Sequence, residues 1–512
     1  MPDRIPPVLR PEHPSARSLI GLVSEFGLDS VGSLDGVEIT GITLRSNEVQ
    51  PGDLFVGVPG AAAHGAEFAV AAREAGAVAL MTDARGAELA ADAGLPIVLV
   101  DSPRAALGEV SAWLYQTNER PPLTLGVTGT NGKTSTSYIL EAILRQLGLV
   151  TGLSTTAERH IGELTVVSRL TTPEASEIHA LLARMRESEV RAVVLEVSAQ
   201  ALSRNRIDGI TFDVVGFTNL SHDHLDDYRD MEEYFEAKLA FFDPDRARRG
   251  VVSLDSPWGE RVVEASRIPV STVSATEGVE AEWQLEVLEE RAEYTAFRLT
   301  GPENRFIETS VPLIGRHMAA NAALSIVMLV EAGFELEAIG HAIKDGIAAY
   351  LPGRTERVSG ERGPAVFVDF GHSPDAFLNT LTAVRTFTTG RTIMVFGADG
   401  DRDASKRHEM GRIASEYSDI LVITDHHPRF EDPASIRATL IEGAHLAENQ
   451  AELHEVSPPE QAIRHAVSLA QEGDSILWAG PGHQDYRDIR GVRTPYSARD
   501  EARAALREAG WA

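Results

Sequence analysis

No cysteine occurs among the 512 residues, which excludes disulfide frameworks and thiolate metal sites. Long apolar runs are missing too. Stretches such as "AVAL" after Gly76 fall far short of the roughly 20 residues that span a bilayer as a helix, so no membrane insertion is expected. The N-terminal "MPDRIPPVLRPEHPS" lacks the apolar core of a secretory signal, and a ragged tail on a cytoplasmic protein is expected. Basic residues are scarce: 47 Lys and Arg stand against 76 Asp and Glu, a formal charge of -29. That balance opposes non-specific nucleic-acid binding. It leaves room for an anionic small substrate in a locally basic cleft. There is no internal repeat.

What is present is a globular composition, 43% hydrophobic and 24% charged, in the ordinary range for soluble domains. At ~150 residues per domain the length predicts three or four domains. Residues 1–121 mix short apolar strands ("DLFVGV", "AVALMTD", "PIVLVD") with Ala-rich helices, as in a small α/β domain. "NERPPLT" (118–124) reads as a linker, being polar and proline-rich. Residues 122–350 carry "AVVLEVSA", "VVGFTNL" and "GVVSLD", β-branched runs separated by helical patterns, as in a parallel sheet with crossover helices. "AAYLPGRTER" (348–357) interrupts with Pro-Gly. Residues 351–512 then supply "AVFVDF", "TIMVFGADG", "DILVITD" and "DSILWAG", each a buried-strand run ending in Gly, Asp or His. Ligands of doubly wound sheets sit outside the carboxyl ends of such strands.

The stretch "LGVTGTNGKTSTSYIL", Leu125 to Leu140, reads as strand, Gly-rich loop and helix. Backbone N–H groups of such a loop and of the helix start cradle phosphate oxygens. Lys133 is placed to neutralise the β- and γ-phosphates and Thr134 to ligate Mg²⁺. The common spacing is not met, since position 127 is valine. Glu196 ends a buried strand in "LEVSAQAL", where a carboxylate serves either as a Mg²⁺ ligand or as a helix N-cap. "TNLSHDHLDD" offers His222, His224 and aspartates, as metal or phosphate groups or as a surface turn. In "DMEEYFEAKLAFF", Tyr234, Lys238 and Phe241 share a helix face, so Lys238 points inward. A buried lysine is costly unless paired or chemically changed, and the alternative is a lysine snorkelling at a core edge.

"TGTNGKTS", "LEVSAQAL", "TNLSHDHLD…EAKL", "VDFGHSPDA" and "FGADGDRDASKR", in that order, resemble the Mur ligase family, and the resemblance runs from "GDLFVGVPGAAAHGAEF" to "AGPGHQDY". It is closest to the member that adds a diamino acid to UDP-N-acetylmuramoyl-L-alanyl-D-glutamate. The implied fold is α/β with three domains: a small uridine-nucleotide-binding domain (1–121), a central P-loop ATPase-like parallel sheet (122–350) and a C-terminal Rossmann-like, amino-acid-binding domain (351–512). The implied chemistry uses ATP to phosphorylate the substrate carboxylate; an amine then displaces phosphate from the acyl phosphate. Two Mg²⁺ and Lys133 would spread the phosphoryl charge. By the same resemblance Gly129, Thr130, Asn131, Gly132, Lys133, Thr134, Ser135, Asn321, Arg354 and Asp369 contact ATP, with His372 in the same motif as Asp369. Thr134, Glu196, His224 and Lys238 hold magnesium, Lys238 as a carbamate (N6-carboxylysine) formed with CO₂. Thr171, Thr172, Ser198 and Arg206 hold the muramoyl dipeptide, and Leu44 and Ser46 the uridine. A monomer is expected.

The departures from the family pattern gather at two places. Arg45-Ser46-Asn47 stands where the family often has Asp-Ser-Arg, Gln200 replaces a histidine, and Met318 replaces an asparagine while Asn321 stays. In the acceptor pocket, members that add meso-diaminopimelate carry Asp-Asn-Pro-Arg; here the residues are His426, His427, Pro428 and Arg429. A later Gly-Lys-Gly-His-Glu becomes Gly480, Pro481, Gly482, His483, Gln484. Arg402 would grip the α-carboxylate of the amino acid, and Arg429 is placed to bind a distal carboxylate. Asp425, Glu431 and Asp432 could serve an ammonium or form a solvated loop. Both altered motifs favour lysine, ornithine or diaminobutyrate over meso-diaminopimelate. The rival readings are a folylpolyglutamate-synthetase-like ligase and a catalytically degenerate nucleotide-binding paralogue.

Overall fold

A strand covered on both faces reads as a near-continuous apolar run, and strands such as Thr392–Phe396 and Ile420–Ile423 are buried along their whole length. The computed structural model describes residues 8–60, 62–223 and 227–511. The chain packs as two compact units that interleave in sequence: Met1–Gly126, Gly148–Val215 and Ala237–Arg249 form one, and Val127–Leu147, Gly216–Glu236 and Gly250–Ala512 the other. Strands Leu123–Thr128, Phe212–Phe217 and Ala247–Ser253 begin in the first and end in the second, and helix Met231–Leu239 begins in the second and ends in the first.

The first unit opens with a five-stranded sheet in the order Asp29–Val31, Ile97–Leu99, Ala79–Thr82, Asp53–Gly57, Gly41–Thr43. All neighbours are parallel except the first pair. Side chains alternate between its faces, as the pleat requires: Leu54 and Val56 pack in a cluster with Leu22, Leu107 and Leu114, while Phe55 packs in another with Ala69 and Ala72. Strands Thr151–Ser154 and Ala192–Glu196 pair in parallel, and Glu158–Ile161 and Leu164–Val167 add an antiparallel hairpin. Strand Leu123–Thr128 starts inside the stretch read as a linker, because the Leu123 N–H donates to the Arg191 carbonyl at 3.0 Å. Only 118–122 connects.

Strand Ala247–Ser253 leads into the second unit; it, Val270–Ser274 and Trp283–Glu290 are parallel, but Trp283–Glu290, Thr295–Thr300 and Phe306–Val311 form an antiparallel meander. The sequence pattern predicted parallel strands only. The meander has a solvated face, where Glu286, Arg298 and Glu308 stand opposite one another, and such half-buried alternation suits antiparallel pairing. Helices Lys133–Gln146 and Arg316–Glu331 pack together, with Ser325 Oγ donating to the Thr136 carbonyl at 3.3 Å.

A six-stranded sheet follows, ordered Glu356–Arg357, Ala365–Asp369, Ser475–Ala479, Thr392–Phe396, Ile420–Ile423, Glu452–Glu455. All but the first pairing are parallel. One face packs on Phe377, Met410 and Leu440, the other on Ile463, Ala466 and Ala502. This is the doubly wound layering predicted for 351–512, and it sets Asp369, Gly397, Thr424 and Gly480 just at or beyond the carboxyl ends of four strands. The first sheet, the strands that follow it and this last sheet give the three-domain α/β architecture.

Candidate active site

The Gly-rich loop is shaped by two glycines that no other residue could replace without strain. Gly129 (φ 146°) and Gly132 (φ 85°) adopt positive φ. A Cβ on Gly129 would lie 1.9 Å from Thr218 Oγ1, and one on Gly132 2.6 Å from Asn321 Oδ1. The loop is backed by Asn219, which takes the Thr130 N–H on its carbonyl (2.9 Å) and the Asn131 N–H on Oδ1 (2.9 Å). Thr218 Oγ1 donates to the Asn131 carbonyl at 2.6 Å. Lys133 folds back, its Nζ donating to the Gly129 and Thr130 carbonyls at 3.1 and 2.9 Å, so its charge sits over the loop. Behind it runs helix Lys133–Gln146, whose N-terminal dipole favours an anion. The arrangement fits a nucleotide phosphate.

Arg354 and Asn321, expected at the nucleotide, both meet this loop. Arg354 Nη2 donates to Thr134 Oγ1 at 2.9 Å, and its guanidinium lies 4.4 Å from the centre of the Phe370 ring. Asp369 is drawn into the local backbone: Oδ2 accepts from the Thr355 N–H (2.7 Å) and Oδ1 from the Gly371 N–H (2.6 Å). These residues border a cavity of about 360 Å³ that also touches Asp255, Thr276, His317 and Asp375. Sequence reasoning missed those four. Asp375 holds Asn131 Nδ2 at 3.0 Å. Burial pushes the His317 imidazole down to about 4, against the pull of Asp369, so it presents a neutral ring to the cavity. Their only sequence signal is position just past a strand or in a first helical turn.

The residues expected at the muramoyl dipeptide lie in the first unit. Ser198 caps helix Ala199–Ser203 by accepting from the Ala201 N–H, so Glu196 is not the cap. Instead Glu196 accepts from the Thr156 N–H at 2.9 Å and from Thr156 Oγ1 at 3.1 Å. Thr156 Oγ1 also lies 3.0 Å from Thr171 Oγ1. Thr172 Oγ1 donates to the Glu196 carbonyl and accepts from the Ser198 N–H. Arg206 reaches the Thr172 carbonyl at 3.3 Å and Glu174 at 3.2 Å. Thr171, Thr172, Ser198, Arg206 and Glu196 thus form one polar cluster, with Thr156 as the member that sequence reading overlooked. Ser46 opens the short helical turn Ser46–Glu48, next to half-buried Leu44. Glu48 there pairs with Arg45 (3.4 Å) and Arg169 (2.5 Å).

Lys238 points inward as its spacing predicted. It is 1% exposed, like Tyr234, and Phe241 is 0% exposed. Helix Met231–Leu239 passes into a tighter turn, Ala240–Phe242. His224 lies outside the described residues. His222 is half-exposed and reaches Ser405 Oγ at 3.2 Å, while the neighbouring Asp223 is buried and pairs with Lys406 at 2.9 Å.

At the carboxyl ends of the last sheet, His426, His427, Arg429, Gly480 and Gln484 come together. The Asp488 N–H donates to His427 Nδ1 at 2.9 Å, so Nε2 carries the ring proton and donates to Gln484 Oε1 at 2.7 Å. A Cβ on Gly480 would touch the His426 ring at 3.8 Å. Arg429 Nη2 pairs with Asp399 Oδ2 at 3.2 Å, a partner that sequence reading did not name. Burial alone would raise the Asp399 carboxyl, but the positive charge facing it, the Arg429 guanidinium included, outweighs burial and holds it below its usual value. Burial pushes His426 down to about 3. Arg402 is exposed on the loop after strand Thr392–Phe396. The three acids considered for an ammonium are already committed: Asp425 to Arg437 and Ser457, Glu431 to Arg407, and Asp432 to the cap of helix Pro433–Ala444. Neither an ammonium site nor a merely solvated loop describes them.

The chain matches the family profiles "Mur ligase family, catalytic domain" over residues 38–115, "Mur ligase middle domain" over 127–329 and "Mur ligase, glutamate ligase domain" over 353–482. It is 64% identical over 508 residues to the UDP-N-acetylmuramyl-tripeptide synthetase of Leifsonia xyli subsp. xyli, covering 99% of each chain. It is 41% identical over 504 residues to the UDP-N-acetylmuramoyl-L-alanyl-D-glutamate--2,6-diaminopimelate ligase of Streptomyces coelicolor, covering 98% of each. A solved structure of a UDP-N-acetylmuramoyl-L-alanyl-D-glutamate--2,6-diaminopimelate ligase is similar with a TM-score of 0.65 and 25% identity, over 96% of this chain and 99% of the other.

Proposed function

The chain belongs to the Mur ligase family and is an ATP-dependent ligase of peptidoglycan synthesis, and we propose that it joins lysine, ornithine or diaminobutyrate to the D-glutamyl carboxylate of UDP-N-acetylmuramoyl-L-alanyl-D-glutamate. In this reading residues 1–121 take the uridine nucleotide, 122–350 activate the carboxylate and 351–512 receive the amino acid, in a cytoplasmic monomer. The carboxylate oxygen attacks the γ-phosphorus, ADP leaves, and an acyl phosphate forms. The acceptor's α-amine attacks the carbonyl carbon, loses a proton and expels phosphate, leaving an amide.

Each role rests on a feature of the residues involved. Lys133 and the N–H groups of its loop hold the transferring phosphoryl group. Thr171, Thr172, Ser198 and Arg206 orient the dipeptide, and Leu44 and Ser46 the uridine. The hydroxyl of Thr134 and the carboxylate of Glu196 each offer oxygen to a hard cation, the family resemblance extends that role to His224 and carbamylated Lys238, and Mg²⁺ when bound neutralises developing phosphoryl charge. Carbamylation of Lys238 replaces a buried ammonium, costly in a low-dielectric site, with an anion suited to a cation.

One observation carries the choice of acceptor. Arg429, the group able to receive a distal carboxylate, is paired with Asp399, and the neutral Gln484 is paired with His427. A diaminopimelate carboxylate brought here must break the first pair, a loss of about 10-fold or more in affinity. Phosphate release measured with the muramoyl dipeptide and a panel of diamino acids tests this. Turnover is expected at a lower apparent KM for one of the three named acceptors than for meso-diaminopimelate. A lower KM for meso-diaminopimelate overturns the acceptor assignment, and turnover only with folates, or none with any diamino acid, overturns the ligase substrate.

A further inference from the structure

The loop after strand Thr392–Phe396 holds a carboxylate with one oxygen committed and one not. Asp399 Oδ2 takes Arg429 Nη2 at 3.2 Å. Oδ1 is buried and has no hydrogen-bond partner among the described residues. His426 Nε2 lies 3.5 Å from it. A buried carboxylate oxygen without a donor is unfavourable, so a ligand donor is the natural complement.

The surrounding rings do not fill that role. His426 is held neutral by its burial. His427 spends one nitrogen on the Asp488 N–H and the other on Gln484. The segment is also fixed in place. The Gly400 N–H donates to the His427 carbonyl at 2.8 Å, and Phe430 N–H to Asp401 Oδ2 at 2.9 Å. A Cβ on Gly400 would fall 2.0 Å from the Pro428 carbonyl, so the two loops touch backbone to backbone.

Two ligand chemistries suit a carboxylate flanked by imidazoles. One is a metal ion, since ligand atoms of Asp399, His426 and His427 lie within 4.8 Å of one another. That requires His427 to release a hydrogen bond at either nitrogen, leaving a two-ligand site, fewer than zinc sites use. The other is an ammonium, which brings three donors and needs only acceptors, such as the open Asp399 oxygen and the neutral His426 ring.

We propose that Asp399 is the residue that selects the acceptor's distal ammonium, receiving it on Oδ1 beside His426 while Arg429 fixes Oδ2. The inference rests on the reading of these strand ends as the amino-acid site. It assigns to the loop Ala398–Asp403 the recognition of both polar ends of the acceptor, the ammonium at Asp399 and the α-carboxylate at Arg402. The charge that the neutral Gln484 does not supply comes from the neighbouring strand end.

The test is steady-state kinetics of the full-length enzyme with Mg-ATP and the muramoyl dipeptide, comparing each diamino acid with its monoamine isostere (ornithine with norleucine, lysine with 2-aminoheptanoic acid). Wild type is expected to prefer the diamino acid. Asp399→Asn should raise its KM about 10- to 100-fold, leave the KM for ATP unchanged, and bring the diamine-to-monoamine ratio close to one. Asp399→Glu should restore part of that ratio. A purely structural role would weaken both acceptors alike and keep the ratio; that result overturns the proposal, as does stoichiometric Zn²⁺ binding by wild type that Asp399→Asn loses. Nucleotide binding by each variant reports folding. The acceptor reading fails separately: if meso-diaminopimelate proves the substrate, the Asp399 comparison is run on it, because it too carries a distal ammonium. If no diamino acid supports turnover, the proposal falls.

Discussion

Lys238 concentrates the chemical question at the scale of one residue. Its side chain is 1% exposed on a helix face shared with Tyr234, with buried Phe241 in the turn that follows, and an ammonium taken from water into such a place is strongly unfavourable unless compensated. Carbamylation, in which the neutral amine adds CO₂ and releases a proton, would change its sign and make it an oxygen donor. Lys238→Ala is therefore expected to lower ligase turnover by about 100-fold or more, the scale of losing a group that stabilises transition-state charge, while ATP affinity changes little. Short carboxylates such as formate or acetate, added at millimolar levels, should restore part of the activity by standing in for the missing anion. Turnover of Lys238→Ala at the wild-type rate would sink the carbamate assignment. The same helix shows how far spacing reads: the inward direction of Lys238 follows from the i, i+4, i+7 pattern alone.

At the scale of elements, the Gly-rich loop and the strand ends were legible because their physics is local. Positive φ at Gly129 and Gly132 and apolar runs ending in polar residues are visible in a window of a few positions. Gly132→Ala tests the loop directly. It places a Cβ 2.6 Å from Asn321 Oδ1 at φ 85°, so the loop must open or Asn321 must turn away, and ATP affinity measured by calorimetry should fall about 10-fold. Unchanged affinity would show that the loop does not set the phosphate site. Less legible were contacts made by side chains far apart in sequence. Thr156 meets Glu196 across paired strands, and Asp399 meets Arg429 across neighbouring strand ends. Neither has a local signature. Asp425, Glu431 and Asp432 read as free acids only because Arg437, Arg407 and the start of a helix could not be placed beside them. The antiparallel meander was missed for a related reason: its β-branched and aromatic residues resemble those of parallel strands, and only the register of Glu286, Arg298 and Glu308 reveals the solvated face.

For the molecule as a whole, part of the stability that depends on pH comes from histidines folded as neutral rings. His179 is fully buried. Its Nε2–H donates to the Asp208 carbonyl at 2.9 Å, so Nδ1 is left to accept from Thr117 Oγ1 at 2.7 Å. Burial pushes it from 6.5 down to about 4, the hydrogen bond to Asp208 opposing. His317 and His426 shift the same way. With the folded value depressed, the unfolded chain binds more protons between pH 6.5 and about 4, and stability rises with pH across that window. His179's contribution is fully present above 6.5 and is lost as pH falls, by roughly 2–3 kcal/mol at pH 4.5. The many surface carboxylates behind the net charge of -29 also titrate there, so wild type alone cannot isolate the histidine. His179→Gln can, because glutamine donates and accepts in the same places without titrating. Urea unfolding at pH 7 and pH 4.5 should show the variant losing less stability than wild type, by about that 2–3 kcal/mol. Equal losses in the two proteins would mean that His179 is not kept neutral by its burial.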